Sequence, residues 1–177
     1  MRVAGGRLRG RELVYPRSGL RPTKAVTRHA VFNILAEQVK GARVLDLFAG
    51  AGALGIEALS RGAAGCVFVE RSPVVLRFLR RNAAGLDGAE VMAGDVRRVA
   101  ARLAGREFDL IISDPPYDKG LVQQAVELVT RHRLLAEGGF VVIEHSCNEL
   151  PQVGRNWVLV REGRYGDSRV SVLRRRE

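Results

Sequence analysis

Beyond residue 43 the chain alternates short, nearly continuous apolar runs with longer segments whose apolar residues recur at helical spacing. Val44–Phe48, Cys66–Val69, Asp109–Ser113 and Gly139–Glu144 read as strands, with a weaker strand at 89–93. Helices are predicted near 53–61, 73–85, 96–104 and 119–132. Strands that are apolar on both faces at nearly every position, each followed by a helix, imply a parallel sheet covered on both faces. Right-handed crossovers then make it a doubly wound α/β sheet. The last two apolar runs, Trp157–Arg161 and Val170–Arg174, lie close together around a turn at Gly163–Asp167, so they are expected to form an antiparallel hairpin at the sheet edge.

The first forty residues follow another pattern. Val3, Leu8, Leu13 and Val14 are the apolar points of a short hairpin over 2–15, with bends at Gly5-Gly6 and Gly10. A polar linker, Arg17-Ser18-Gly19, leads to a helix expected to start near Pro22, with Val26, Ala30, Val31, Ile34 and Leu35 on one face. Gly41 is placed to end it. The chain thus divides into an N-terminal extension, 1–41, and a main domain, 42–177, expected to fold without residues 1–18. No internal repeat is evident.

Charge sharpens the difference between these parts. The formal net charge is +10, and residues 1–28 carry +7 of it: seven arginines and Lys24 against Glu12 alone. Part of the arginine excess is compositional, since the chain has only three lysines, but composition does not concentrate charge in one segment. A basic block of this kind suits a polyanionic partner. Arg7, Arg9, Arg11, Arg21, Lys24 and Arg28 are the candidate contacts to nucleic acid. The 177 residues, 46% hydrophobic and 27% charged, suit one domain with a real core. No run approaches the roughly 18 apolar residues of a membrane span. The N-terminus lacks the apolar core of a signal peptide, which makes the cytoplasm the expected compartment. Cys66 and Cys147 match no zinc or redox spacing, and Cys66 reads as a small core residue. His29, His132 and His145 show no ligand spacing. Trp157 is expected to pack the tail hairpin, and Arg174–Arg176 to be a solvated end.

The candidate chemistry lies where strands end. Asp46-Leu47-Phe48-Ala49-Gly50-Ala51-Gly52-Ala53-Leu54-Gly55 places a GxGxxG loop between a strand and a helix, and Glu70 ends the next strand about 20 residues on. Such a loop admits an adenosine-containing ligand, with the acid on its ribose hydroxyls. By itself it does not separate NAD from S-adenosylmethionine. Asp46 favours the latter, because a carboxylate at the loop would repel pyrophosphate but suits a cationic sulfonium ligand. Asp95, after the third strand, is a candidate acceptor for the adenine amino group and equally an N-cap of the next helix.

Asp114-Pro115-Pro116-Tyr117 follows the fourth strand. The exocyclic amine of a base is a poor nucleophile, because its lone pair is delocalised into the ring. A carboxylate and a backbone carbonyl accepting both amine hydrogens favour a tetrahedral nitrogen. Asp114 and the Pro115 carbonyl supply these, Pro115 and Pro116 stiffen the loop, and Tyr117 offers a ring for an extruded base. On this reading the tyrosine needs its ring and not its hydroxyl.

Asp46–Gly55, continuing as Ile56-Glu57-Ala58-Leu59-Ser60-Arg61-Gly62-Ala63, together with Asp114–Tyr117, resembles the RsmD family. The resemblance extends to Arg7-Leu8-Arg9-Gly10-Arg11, Arg21-Pro22-Thr23, Arg28, Phe32-Asn33 and Tyr165-Gly166-Asp167, and so covers almost the whole chain. Ala25, Val26 and His29 depart from residues usual in that family. The resemblance implies a Rossmann-like class I S-adenosylmethionine-dependent methyltransferase fold and methylation of guanine N2 in small-subunit (16S) ribosomal RNA. The implied substrate lies within a late-assembling small subunit. S-adenosylhomocysteine is the product, and neither a metal nor a membrane is involved. It makes Asp46, Phe48, Ala49, Gly50, Gly52, Leu54, Gly55, Glu70, Asp95 and Val96 the cofactor residues, and Asp114–Tyr117 the catalytic loop. The rivals are a DNA adenine-N6 methyltransferase, disfavoured by the lack of room for a target-recognition domain, and a protein-glutamine methyltransferase, which leaves the basic N-terminus unexplained. Outside that class stand an NAD-dependent oxidoreductase and a catalytically silent RNA-binding module.

Overall fold

The computed structural model describes residues 1–16, 25–117 and 119–176. The linker at 17–19, the helix start near Pro22, and the candidate contacts Arg21 and Lys24 lie outside the described residues.

Seven strands form one sheet in the order β3-β2-β1-β4-β5-β7-β6. They are β1 (Arg43–Asp46), β2 (Gly65–Glu70), β3 (Ala89–Ala93), β4 (Phe108–Ser113), β5 (Leu135–Ser146), β6 (Trp157–Tyr165) and β7 (Ser168–Arg175). The first five run parallel. β7 pairs antiparallel with β5, and β6 closes the edge against β7. The expected doubly wound sheet with an antiparallel hairpin is therefore what forms. β6 and β7 are longer than the apolar runs suggested, because the turn tightens to Gly166-Asp167.

Helix α1 (Ala25–Leu35), continued by a 3-10 turn at Ala36–Val39, packs on one face of the sheet with α2 (Ala53–Ser60) and α3 (Pro73–Ala83). The other face carries α4 (Val96–Arg102) and α5 (Leu121–Arg131). The alternation puts every helix N-terminus from α2 to α5 near the carboxyl end of a strand. Strand order reverses between β1 and β4, which is where doubly wound sheets open a crevice. Trp157 is buried on the α5 face and donates its indole N–H to Thr130 Oγ1 at 3.2 Å. Cys66 is buried in β2.

Residues 1–16 close as a short irregular hairpin. It has a single antiparallel bridge, Arg2 with Glu12; Val3, Gly10 and Leu13 also donate to carbonyls within the segment, while four other amides are drawn to side chains of the helices beneath. Ala4 and Gly5 donate to the two oxygens of Glu57, at 2.8 and 2.9 Å. Leu8 donates to Ser60 Oγ at 2.9 Å, and Val14 to Asn82 Oδ1 at 2.9 Å. Gly6 presses so closely on the end of α2 that a Cβ would sit 1.9 Å from the Ser60 carbonyl oxygen, and its φ is +75°. Only glycine fits there. Val3 and Leu13 are buried in the same apolar cluster as Phe32, Ile56 and Leu79. The segment thus lies as a strap over α2 and α3 and shares their core.

Candidate functional site

A cleft of about 670 Å³ opens at the carboxyl ends of the parallel strands. Its walls bring together Phe48, Gly50, Glu70, Asp95, Val96 and the whole Asp114–Tyr117 loop, so nine of the fourteen residues expected at the cofactor and catalytic positions share one cavity. Leu47 and Val69 add apolar wall, while Arg71, Arg97, Lys119, Gln124, Glu144 and Ser168 add polar groups that the sequence reading did not single out.

Glu70 ends β2 and holds the loop beside it. Its Oε2 accepts the Gly50 amide at 3.0 Å, and Oε1 accepts Ser72 at 2.7 Å. The carboxylate is thereby fixed in orientation, with lone pairs left over for a ligand. The loop is pinned to β2 through its backbone as well: the Ala49 amide donates to the Val69 carbonyl at 2.9 Å.

Ala49, Gly52, Leu54, Gly55 and Asp46 do not line the cleft. Gly55 is there for packing, since a Cβ would lie 2.3 Å from the Phe68 ring and 2.6 Å from Cys66 Sγ. Asp46 is 1% exposed and sits behind the loop, where its Oδ2 accepts the Gly55 amide at 3.1 Å. That amide belongs to the first turn of α2, so the carboxylate occupies a donor that a phosphate at the helix N-terminus would use. Burial pushes the Asp46 carboxyl up to about 7, against the pull of the Gly55 amide, and the charge of Glu70 raises it further. Its Oδ1 is buried with no hydrogen-bond partner among the described residues.

Asp95 caps α4, accepting the Arg97 amide at 3.0 Å and the Arg97 guanidinium at 2.8 and 3.1 Å. The hydrogen bond from the Arg97 side chain holds its carboxyl below the usual range. Asp95 is thus a cap that also lines the cleft.

The Asp114–Tyr117 loop leaves β4 at the centre of the sheet. Tyr117 is half-buried, and its hydroxyl lies 2.8 Å from Glu144 Oε1 and 2.7 Å from Ser168 Oγ. Glu144, near the end of β5, is 5% exposed. Burial raises the phenol above its ordinary range, with the Glu144 carboxylate adding to the effect. The hydroxyl is therefore a neutral donor toward Glu144. Glu144 escaped sequence reading because it looks like the polar end of a strand, and only the pairing of β5 with β7 brings Ser168 to it.

Of the candidate nucleic-acid contacts, Arg7 and Arg9 are exposed on the strap and Arg11 is half-buried. Arg28 is a correction. It is 3% exposed, donates to the Arg2 carbonyl at 2.9 Å and lies 3.8 Å from Glu57, so it holds the strap and is turned away from any phosphate. His145 is a buried histidine bonded to Ser171 Oγ and the Ser146 carbonyl, each at 2.8 Å. No group of three or more candidate metal ligands occurs among the described residues. None of their helices is long and apolar enough to cross a membrane.

Comparison with known proteins agrees with this geometry. The family model described as "Conserved hypothetical protein 95" matches residues 1–174. Ribosomal RNA small subunit methyltransferase D of Escherichia coli K12 is 39% identical over 166 residues, covering 92% of this chain and 83% of that protein. The solved structure of the Escherichia coli protein yhhF superposes with a TM-score of 0.88 at 37% identity, covering 99% and 97% of the two chains. An RNA methyltransferase of Salinibacter ruber, solved with S-adenosyl-L-homocysteine, shares the fold at a TM-score of 0.66 and 20% identity, over 86% and 92% of the chains. With its class I methyltransferase fold and a match that runs almost from end to end, the chain belongs to the RsmD family.

Proposed function

We propose that the protein transfers a methyl group from S-adenosylmethionine to the exocyclic N2 amine of a guanine in small-subunit ribosomal RNA, acting in the cytoplasm. One observation carries the reading: the Asp114–Tyr117 loop opens into the same cleft as Glu70, Gly50 and Asp95. A group that prepares an amine thus faces a group of acceptors suited to adenosine.

The residues present fit that cofactor. Leu47, Phe48, Val69 and Val96 give an apolar slot for a purine ring. Glu70, held by two amides, is oriented to accept ribose hydroxyls, and Asp95 is oriented to accept the adenine amino group. Asp46 takes the α2 amide that a pyrophosphate would need, and its negative charge behind the loop suits a cationic ligand. The bound cofactor supplies an electrophilic methyl on sulfur. Asp114 and the Pro115 carbonyl accept the two amine hydrogens and turn the nitrogen lone pair toward that methyl. The N–C bond forms as the S–C electron pair returns to sulfur, and the surplus amine proton passes to Asp114 or to water. Alignment of nitrogen with the S–CH₃ axis is the main contribution asked of the loop.

The exposed Arg7 and Arg9, with Arg11, Arg21 and Lys24, make residues 1–41 the docking extension of the domain at 42–177. The name of the Escherichia coli relative supports the choice of ribosomal RNA. Methyl transfer from labelled S-adenosylmethionine to unmethylated small subunits, followed by mapping of the product nucleoside, tests the proposal. N2-methylguanine is expected. N6-methyladenine, or transfer to duplex DNA alone, would overturn it in favour of the adenine-N6 alternative.

A further inference from the structure

Six arginines come together on the face of the molecule that carries the strap. Arg77, Arg80 and Arg81 are exposed on α3, opposite its buried Val75, Leu76 and Leu79. Arg11 reaches from the strap onto the last turn of α3, where its guanidinium donates to the carbonyls of Asn82 and Ala84 at 3.0 and 3.4 Å. Arg7 and Arg9 continue along the strap. None of the three α3 arginines has a salt bridge among the described residues, whereas Arg43, Arg97, Arg106 and Arg169 are each paired with a carboxylate.

Folding alone accounts for only part of this cluster. A helix C-terminus offers roughly half a negative charge, felt within its last turn. Arg11 already sits on those carbonyls, and Arg80 and Arg81 crowd the same turn. Glu12 and Asp87 are the carboxylates nearest in sequence, two against six arginines. Like charges gathered this way repel in the free protein and are relieved by a polyanion.

The position of α3 says where that polyanion runs. Its first turn follows Glu70 and Arg71 at the cleft, and its last turn meets the strap. Eleven residues of helix span about 16 Å at 1.5 Å per residue. We propose that the exposed face of α3 is an RNA-backbone track, joining the cleft to the strap so that the strand flanking the target base is held by Arg77, Arg80 and Arg81. This rests on the reading of the substrate as RNA.

The test compares two triple variants of the full chain. One is Arg77→Gln, Arg80→Gln, Arg81→Gln. The control is Arg155→Gln, Arg161→Gln, Arg164→Gln, which removes equal charge around the far-edge strand β6. Binding of a small-subunit ribosomal RNA fragment is measured at two salt concentrations, beside cofactor affinity and melting temperature. Three lost contacts at about 0.7 each predict a salt slope flatter by about two units for the α3 variant. An affinity at least roughly tenfold weaker is expected at moderate salt. Its cofactor affinity should be unchanged, and the control should keep the parent slope. An unaltered slope in the α3 variant, or equal losses in both, would overturn the track. Failure of the parent to bind or methylate RNA would instead sink the substrate reading itself.

Discussion

The Tyr117 hydroxyl is held 2.8 Å from Glu144 Oε1, which ties the loop after β4 to the end of β5. With Ser168 Oγ at 2.7 Å on its other side, the ring is clamped, not merely presented. The expectation that the hydroxyl is dispensable therefore changes. Tyr117→Phe keeps the ring but removes its hydrogen bonds to Glu144 and Ser168, at a cost of about 1–3 kcal/mol. Turnover should fall in Tyr117→Phe and in Glu144→Ala, with cofactor affinity near the parent value. Full activity in both would show that the clamp is inert.

Asp114→Ala should abolish methyl transfer while cofactor affinity, read by calorimetry, stays within a few-fold. A large loss of affinity would move Asp114 from the amine to the cofactor.

Glu70→Ala removes an acceptor for ribose hydroxyls and frees the Gly50 and Ser72 amides. Charge-assisted bonds of this kind are worth on the order of 1.5–3 kcal/mol, so cofactor binding should weaken by one to two orders of magnitude. Unchanged calorimetric affinity would remove Glu70 from that role.

Asp46 predicts a pH dependence. Its folded value of about 7 lies above the ordinary carboxyl value of 3.8, so between these the folded protein retains a proton that the unfolded chain has lost. This contribution to stability is full at acid pH, declines as pH rises toward 7, and is gone above it. An ionised carboxylate behind the loop attracts a cationic ligand through the field it sets in the cleft, so cofactor affinity should rise from pH 6 to pH 8 and level off. Asp46→Asn should flatten that rise. A parent affinity independent of pH would separate Asp46 from the cofactor.

Glu57 is 1% exposed and accepts the amides of Ala4 and Gly5 while pairing with Arg61 at 2.8 Å. Glu57→Ala leaves the Arg28 charge buried beside unpaired amides, and about 3–5 kcal/mol of stability should be lost in chemical denaturation. Deleting residues 1–16 should lower stability comparably, in contrast to the expectation that the domain folds without them. A deletion variant with the parent melting temperature would show the strap to be dispensable.

The sheet was legible from residues because fully apolar runs such as Cys66–Val69 leave little choice of face, and because the glycine loop and Glu70 follow or end strands. Arg28 was misread because a cation in a basic segment looks solvated until Glu57, 29 residues away, is brought beneath it. Glu144 and Ser168 were missed for the same reason: their meeting with Tyr117 depends on β7 entering the sheet between β5 and β6. Local pattern reports which residues share an element, and long-range pairing decides which charged groups are neutralised.

Asn82 donates its amide to the carbonyls of Val14 and Ala51, both at 2.9 Å, and accepts the Val14 amide. Val14 leaves the ribosome well before its partner, which lies 68 positions later. The strap therefore waits, without a place to dock, until β1, α2 and α3 have been synthesised and have come together. A segment made earlier is thus seated later, and because Asn82 also grips the glycine loop at Ala51, completion of that loop coincides with the docking of the strap.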